Sequence, residues 1–286
     1  FVAIWSTVVY FPVAHWVFAF GNKVGDTVTG VGYLAGKGVQ DFAGGTAVHI
    51  NAGAAGLALA IILGKRIGWR KESMRPHSLP LVMLGAALLW FGWFGFNAGS
   101  SLAANGIAGL AFINTQVATA GAVLGWLLVE KLRNGHATSL GAASGAVSGL
   151  VAITPACAFV APWAAVVIGF IAGILCSLAV SLKYKFGFDD SLDVVGVHLV
   201  GGIWGSLSIG LFGASAVNSI GLDGIFYGGG TDLMVKQLLG VGVVAAYSFI
   251  ATLIIGFAIE KTIGFRVPRE VEIEGIDLKE HAESAY

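Results

Sequence analysis

Long apolar segments separated by short polar connections dominate the chain. Most approach the roughly 20 residues that a helix needs to cross a bilayer, while one, 139–156, is shorter and rich in Gly and Ala. The runs are continuous rather than alternating, so helices are favoured over the strands of a membrane barrel. The pattern therefore predicts an all-α polytopic membrane helical bundle. Its eight segments are 2–20, 41–63, 79–100, 107–129, 139–156, 161–182, 193–213 and 234–260.

Composition supports the membrane interpretation and narrows the function classes. Charged residues make up only 11%, against about 25% in ordinary soluble domains, and hydrophobic residues make up 56%. Mean hydropathy is +0.83. The formal net charge is zero, so no nucleic-acid footprint is present. The two cysteines, Cys157 and Cys176, lie in or beside apolar spans, which favours packing over a disulfide or a metal site. No nucleophile constellation, metal cluster or phosphate loop is visible, so we expect neither an enzyme nor a cofactor.

Basic residues indicate how the chain crosses the membrane. Thirteen of the sixteen Lys and Arg residues fall on every second connection, in 64–77, 130–136, 183–188 and the tail 261–286. Cytoplasmic loops carry such an excess of positive charge. Both ends of the chain are therefore predicted to be cytoplasmic. The tail alternates acidic residues with apolar ones at helical spacing, so we expect it to dock on the cytoplasmic face or on a partner.

A motif occurs twice, in DFAGGTAVHINAGAAG and DSLDVVGVHLVGGIWG. Asp41 precedes His49 by eight residues and Asp190 precedes His198 by eight, with glycines four and seven residues after each histidine. The two spans are five apart and would run in opposite directions through the membrane. A motif carried in opposite directions is typical of an inverted-repeat transporter, whose site lies near the midplane. We expect an inverted five-helix repeat followed by a final long helix.

The two histidines are the strongest candidates for function. An ionisable residue within a membrane is costly and usually marks a pathway. A helix-packing histidine bonded to a carbonyl and a bis-histidine haem are the alternatives, and the repeat favours a pair that lines a path. Two neutral imidazoles can hydrogen-bond each other and leave one nitrogen each for a solute that both donates and accepts, or for a proton. A bare metal cation would need many oxygen ligands instead.

Aspartates stand at the start of both repeat spans. Asp41 can cap its helix and favour cations at the outer mouth, and Asp190 is expected to play the mirrored structural role at the inner face. Asp189 and Asp193 beside it are expected to be solvated.

A cluster of aromatic residues, WFGFNAGS, ends the third segment at the outer face. Phe96 could plug a pore, and Ser100 could accept a hydrogen bond from an entering cation, to which aromatic faces would add cation–π attraction. The alternative is an aromatic belt that anchors the helix at the interface. His15 in the first segment has no repeat partner, which favours a packing role.

Several segments together resemble the Amt/Mep/Rh family of ammonium transporters, and its Amt branch in particular. They are DFAGGTAVHINAGAAG, GWFGFNAGS, AFINTQVATAGAVLGW, VGVHLVGG and FRVPREVEIEGIDLKEHAESAY, in the family's order. The resemblance implies an eleven-span protomer that assembles as a homotrimer with one pore per subunit. It places 1–260 in the transmembrane domain, as spans four to eleven, and 261–286 in a cytoplasmic regulatory tail. Without three further spans, we expect this chain alone not to transport.

The resemblance also implies a role for particular residues. The paired pore histidines would be His49 and His198, the gate would include Phe96, and Ser100 would recruit ammonium near the structural Asp41. The family's recruitment tryptophan falls on Phe18, a weaker π face, which is a departure from the pattern.

The activity implied is transport of ammonium, which is recruited outside, deprotonated and passed through an apolar pore, with methylammonium as an analogue. An Rh-like gas or amine channel and an ammonium sensor that signals through its tail are the alternatives. A plasma (cell inner) membrane location follows, with a PII-type signal protein as a cytoplasmic partner.

Overall fold

The structure, a computed structural model, describes residues 1–24 and 27–284. Helices occupy all eight predicted segments, so the prediction of a helical membrane bundle is confirmed. Six are long and apolar enough to cross a membrane: α3 (Gly45–Leu63), α4 (Leu79–Gly99), α5 (Gly106–Asn134), α7 (Pro162–Phe186), α8 (Val195–Phe212) and α9 (Asp232–Thr262). Two apolar helices are shorter, α1 (Val2–Phe18) and α6 (Ser139–Ile153). The remaining helices that we label are α2 (Tyr33–Gly36) and α10 (Arg269–Glu274) in the tail.

A small two-stranded sheet follows α1 and was not predicted from the sequence. Strands β1 (Phe20–Val24) and β2 (Thr27–Val31) pair antiparallel, with Phe20 opposite Val31. The segment is polar and Gly-rich, and it therefore read as a loop. The fold remains helical because this pair is the only sheet within the described residues.

Side-chain caps fix several helix ends that apolar periodicity cannot locate. Asn105 accepts from the Ala108 N–H at 3.0 Å at the start of α5, and Thr138 accepts from the Gly141 N–H at 2.9 Å at the start of α6. Gly135 ends α5 at φ +81, a left-handed conformation that glycine adopts without strain. Helix α5 consequently runs five residues beyond the predicted end at 129.

Glycines let α5, α6 and α7 pack backbone against backbone. A Cβ at Gly121 on α5 would lie 2.8 Å from the carbonyl oxygen of Val166 on α7. A Cβ at Gly149 on α6 would lie 2.7 Å from the Cα of Thr119 on α5. Such approaches exclude any side chain, so the glycine content serves close helix packing, as expected for helices in lipid.

Helices α3 and α8 cross antiparallel, and their contacts are related by two-fold symmetry. A Cβ at Gly53 would lie 2.6 Å from the Cα of Leu199, and one at Gly202 would lie 3.0 Å from Cγ1 of Ile50. Each glycine follows its own histidine by four residues, and each contacted residue follows the other histidine by one. The predicted inversion of the repeat is therefore present in the packing.

Two of the basic connections, those after α3 and after α7, lie on one face of the bundle together with the tail. The Arg66 guanidinium donates to both oxygens of Asp189, at 2.8 and 2.9 Å. Glu272 on α10 accepts from the N–H of Ile67 at 2.7 Å. Arg266 donates to the carbonyl of Leu63, the last residue of α3, at 2.9 Å. The tail therefore docks on the bundle, and the cytoplasmic location of this face stays a prediction.

The expectation that Asp189 and Asp193 are solvated is wrong. Asp189 is buried, and Lys183 donates to the half-buried Asp193 at 2.5 Å. Burial alone would raise the pKa of Asp189, but the hydrogen bonds and charge of Arg66 outweigh it and hold that pKa below its usual value. Arg66 stands 123 residues away along the chain, so the sequence gave no local sign of this pair.

Candidate functional site

The two repeat histidines lie together where α3 and α8 cross. The Nδ1 atoms of His49 and His198 are 3.2 Å apart, so one donates and the other accepts. His49 is 3% exposed and His198 is half-buried. The Nε2 atom of His49 is buried and has no hydrogen-bond partner among the described residues. A buried ring nitrogen without a partner is free to bond a small solute.

Both histidines sit on wide turns at the beginning of their helices. Gly45–Ile50 and Val195–Leu199 form π turns, in which hydrogen bonds span five residues, as from the His49 N–H to the Gly44 carbonyl at 3.0 Å. Single π turns within helices occur often at functional sites. Both residues of the pair therefore lie in such a turn.

Buried aspartates hold these turns in place. Asp41 is 6% exposed, and its two oxygens accept from four N–H groups, those of Gly44, Gly45, Thr46 and Ala47, at 2.7–3.0 Å. Asp190 accepts from the N–H groups of Val194 and Val195 at 3.0 and 2.8 Å. The capping geometry that the sequence suggested is therefore present at the start of both α3 and α8. A further role for Asp41 in recruitment stays a prediction.

Aromatic rings from α4 lie against one histidine. The Trp93 ring stacks on His49 with ring centroids 5.3 Å apart and planes 17° apart. The Phe96 ring lies 6.2 Å from His49 and 5.5 Å from Trp93. Phe96 also approaches Gly44, at 3.8 Å from where a Cβ would stand, and so lies toward the Asp41 end of α3. Phe96 is thus placed beside the pair, on the side that the basic-residue pattern assigns to the outside.

Trp93 and Thr154 are site residues that the sequence reasoning missed. The indole N–H of Trp93 donates to the Thr154 hydroxyl oxygen at 2.8 Å. Trp93 was grouped with the interfacial aromatics, although its spacing of three from Phe96 puts both on one helix face. Thr154 follows the end of α6, and no sequence signal links it to α4.

The contact between the rings argues against haem, because two directly hydrogen-bonded imidazoles leave no room for an iron between those nitrogens. Within the described residues, no group of three or more His, Cys, Asp or Glu side chains could hold a metal ion.

Comparison with known proteins decides the family. A model of the Ammonium Transporter Family matches residues 1–286. This chain belongs to that family. An ammonium transporter of Mycobacterium tuberculosis (strain ATCC 25618 / H37Rv) is 58% identical over 292 residues, covering 100% of this chain and 61% of the relative. Amt1 of Archaeoglobus fulgidus is 46% identical over 286 residues, covering 99% of this chain and 69% of the relative.

Solved structures of the same family share the fold. Mep2 of Candida albicans has a TM-score of 0.83 at 38% identity, covering 93% of this chain and 59% of that one. A sensor Amt protein has a TM-score of 0.85 at 33% identity, covering 99% of this chain and 68% of that one. This family member therefore spans about three fifths of the length of several relatives that it matches, 61% for the mycobacterial transporter.

The remaining predicted site residues of this family member lie at the helix ends. The Ser100 hydroxyl donates to the Phe96 carbonyl at 2.7 Å, so its oxygen lone pairs are free to accept. Phe18 ends α1 and packs with the apolar cluster around Val13, Val17 and Val244. The described contacts bring Phe96 to His49 and leave Phe18 with that cluster, so a recruitment role for Phe18 stays a prediction.

Proposed function

We propose that this member of the Ammonium Transporter Family carries ammonium across a membrane by deprotonating it and passing ammonia along the His49–His198 pair. The single observation that supports this most is the 3.2 Å contact between the two Nδ1 atoms inside an apolar bundle, with His49 Nε2 left without a partner. The relatives in the comparison are named as transporters, which agrees with a transport role rather than an enzymatic one.

In this proposal, ammonium is recruited at the outer mouth. The free lone pairs of Ser100 accept an N–H of the cation, and the rings of Phe96 and Phe18 attract its charge. Asp41 holds the turn that carries His49 and adds negative charge near the entrance. Phe96 is the gate in this proposal, a role supported by the 6.2 Å separation between its ring and that of His49.

Selectivity then follows from the cost of charge in an apolar tube. Ammonium resembles a potassium ion in charge and size, but only ammonium can leave its proton behind. Ammonia both donates and accepts hydrogen bonds, so it can bond the outward nitrogen of each imidazole in turn. A charged ion would lose its hydration without oxygen ligands to replace it.

The pair also offers a route for the proton. His49 Nε2 takes the proton from ammonium, and His49 Nδ1–H passes its own proton to Nδ1 of His198. His198 then releases the proton on its Nε2 toward the inner side, which leaves both rings neutral with exchanged tautomers. Each hand-over uses a hydrogen bond, and the central one is 3.2 Å long.

The cellular setting is part of the same proposal. The protein is a multi-pass protein of the plasma (cell inner) membrane, with residues 1–260 as its transport domain and the tail 261–286 in the cytoplasm. It assembles as a homotrimer, and a PII-type signal protein is its expected regulatory partner. The meeting of two basic connections, those after α3 and after α7, with the tail on one face supports this orientation.

A sensor is the second candidate, supported by the likeness to a sensor Amt protein and by the contacts of the tail with the end of α3. A sensor would bind ammonium and change the position of the tail without carrying methylammonium. An Rh-like channel would instead conduct carbon dioxide beside amines, so a carbon dioxide flux assay separates it.

Uptake of labelled methylammonium by proteoliposomes that hold the intact protein tests the proposal. We expect saturable uptake that His49→Ala abolishes, because His49 Nε2, the nitrogen that accepts the proton of ammonium in this proposal, is then missing. His15→Ala is the matched control, since His15 is an exposed histidine on a neighbouring apolar helix, and it should keep full uptake. No uptake by correctly inserted parent protein would overturn transport and favour the sensor.

A further inference from the structure

The histidine pair is supported from one side only. Trp93 and Phe96 come from α4, which carries neither repeat motif, and both approach His49. Within the described part of the chain, the only ring against His198 is that of His49. The two-fold relation between α3 and α8 therefore does not extend to the rings that pack on the pair. The asymmetry singles out Trp93, whose plane lies within 17° of the plane of His49.

Trp93 is itself held in one orientation. Its indole N–H donates to the Thr154 hydroxyl oxygen at 2.8 Å. The Thr154 hydroxyl donates in turn to the Leu150 carbonyl at 2.7 Å, which fixes its oxygen as the acceptor for the indole. Two hydrogen bonds in series thus anchor the ring that covers His49 to the last turn of α6.

The same end of α6 also fixes the helix of His49. A Cβ at Gly45 would lie 2.5 Å from Cβ of Pro155, the residue after Thr154, so the start of α3 rests directly on Pro155. The Phe42 N–H donates to the Pro155 carbonyl at 3.0 Å. One segment of backbone therefore sets both where the α3 turn lies and where the Trp93 ring lies over His49.

We propose that Trp93, anchored by Thr154, is a positioning residue that holds the His49 ring in the rotation that keeps its Nδ1 on Nδ1 of His198. Histidine rotates broadly about its terminal torsion, and a single hydrogen bond to another imidazole does not define the plane of the ring. The Trp93 indole, which stacks nearly parallel to the His49 ring, does define that plane. The indole face also attracts positive charge, so it stabilises His49 while that ring carries the proton taken from ammonium. The inference rests on the proposed function for its effect on transport.

Four variants separate this role from mere packing. Thr154→Val removes the acceptor at nearly constant shape, and Thr154→Ser keeps the hydroxyl. Trp93→Phe keeps an aromatic wall but removes the N–H, and the fourth variant combines Thr154→Val with Trp93→Phe. Trp5→Phe is the control, because its indole also donates to a threonine hydroxyl, that of Thr252 at 2.9 Å, but between α1 and α9, which carry neither histidine of the pair.

Ammonium-evoked current in proteoliposomes is the transport readout. We expect Thr154→Val and Trp93→Phe each to lower it roughly fivefold, since an ordinary net hydrogen bond changes an orientation equilibrium by about that factor. Thr154→Ser and Trp5→Phe should stay at the parent level. The double variant should be no worse than either single one, because both changes remove the same bond. Multiplied losses in the double variant would overturn the proposal.

A second readout does not depend on transport. Solid-state NMR of the intact protein with ¹⁵N-labelled histidine reports whether the two Nδ1 atoms share a proton. We expect that signature in the parent and in Thr154→Ser, and its loss or averaging in Thr154→Val. An unchanged signature in Thr154→Val would overturn the positioning role. A parent that shows the signature but no current would refute the proposed function and leave the positioning role standing.

Discussion

The cap at Asp41 offers a stability prediction that the structure makes quantitative. Each of its oxygens accepts two backbone N–H bonds, from Gly44 and Gly45 and from Thr46 and Ala47. Asp41→Asn keeps one oxygen and replaces the other with an amide NH₂, which cannot accept. Two hydrogen bonds to a charged acceptor are lost, and two buried N–H groups then face another donor.

The expected loss can be estimated from those bonds. A hydrogen bond to a charged group contributes about 1.5–3 kcal/mol, so Asp41→Asn should lower the free energy of unfolding by about 3–6 kcal/mol. Asp190 is the matched control, because it is 7% exposed, like Asp41 at 6%, but accepts only one N–H on each oxygen. Asp190→Asn should therefore lose about half as much, about 1.5–3 kcal/mol.

Thermal unfolding in detergent, followed by tryptophan fluorescence, measures both variants against the parent. We expect a lower midpoint for both, with the larger fall in Asp41→Asn. Equal falls, or a larger fall in Asp190→Asn, would refute the reasoning that bond number at the cap sets its contribution.

Three further outcomes are expected from other contacts. Gly53→Ala should push α3 away from the facing backbone of α8 and so lower methylammonium uptake. Gly85→Ala is the control and should not lower uptake, because nothing lies within 4 Å of the new Cβ. Equal uptake by the two variants would contradict the crossing geometry. Arg66 holds the pKa of Asp189 in the folded protein below its usual value despite burial. The pair therefore stabilises the folded protein at any pH above the usual pKa of an aspartate, and this stabilisation is lost as the pH falls through the lowered pKa of Asp189. Unfolding midpoints from pH 6 to 2 should therefore converge between the parent and Arg66→Met, and parallel curves would contradict this. Glu272→Gln should loosen the docked tail and speed its cleavage in limited proteolysis, and unchanged cleavage would argue against that contact as the anchor.

The helices could be predicted from the sequence because bilayer thickness sets the length of an apolar run that crosses the membrane. The residues at which the helices begin and end could not be predicted as well. The run that includes Asp41 is apolar from 42 onward, yet α3 begins at Gly45 because the Asp41 carboxylate takes up the first free N–H groups. A cap of this kind changes a boundary by a few residues without any change in hydropathy.

The contact between His49 and His198 could also be predicted from the sequence, because the inverted repeat relates the two spans by symmetry. Identical spacing from Asp41 and Asp190 puts each histidine at the same depth in its own span, and antiparallel crossing then brings them together. The repeat in the sequence was therefore sufficient to predict this contact between two distant residues.

Other parts of the site could not be found in this way. Trp93 and Thr154 lie on α4 and at the end of α6, outside the motif, and their hydrogen bond joins residues 61 apart. The pairing of Arg66 with Asp189 likewise depends on how the inner connections fold over one another. Contacts between elements that share no symmetry leave no pattern in a single sequence.

The most direct test of the central claim is the ammonium-evoked current of the intact protein in proteoliposomes, measured beside methylammonium uptake in the same preparation. We expect the parent to show both, with no current from potassium, and His49→Asp to lose the ammonium current because the chain of ring nitrogens to His198 is broken. An ammonium current in His49→Asp equal to that of the parent would contradict a path through the histidine pair.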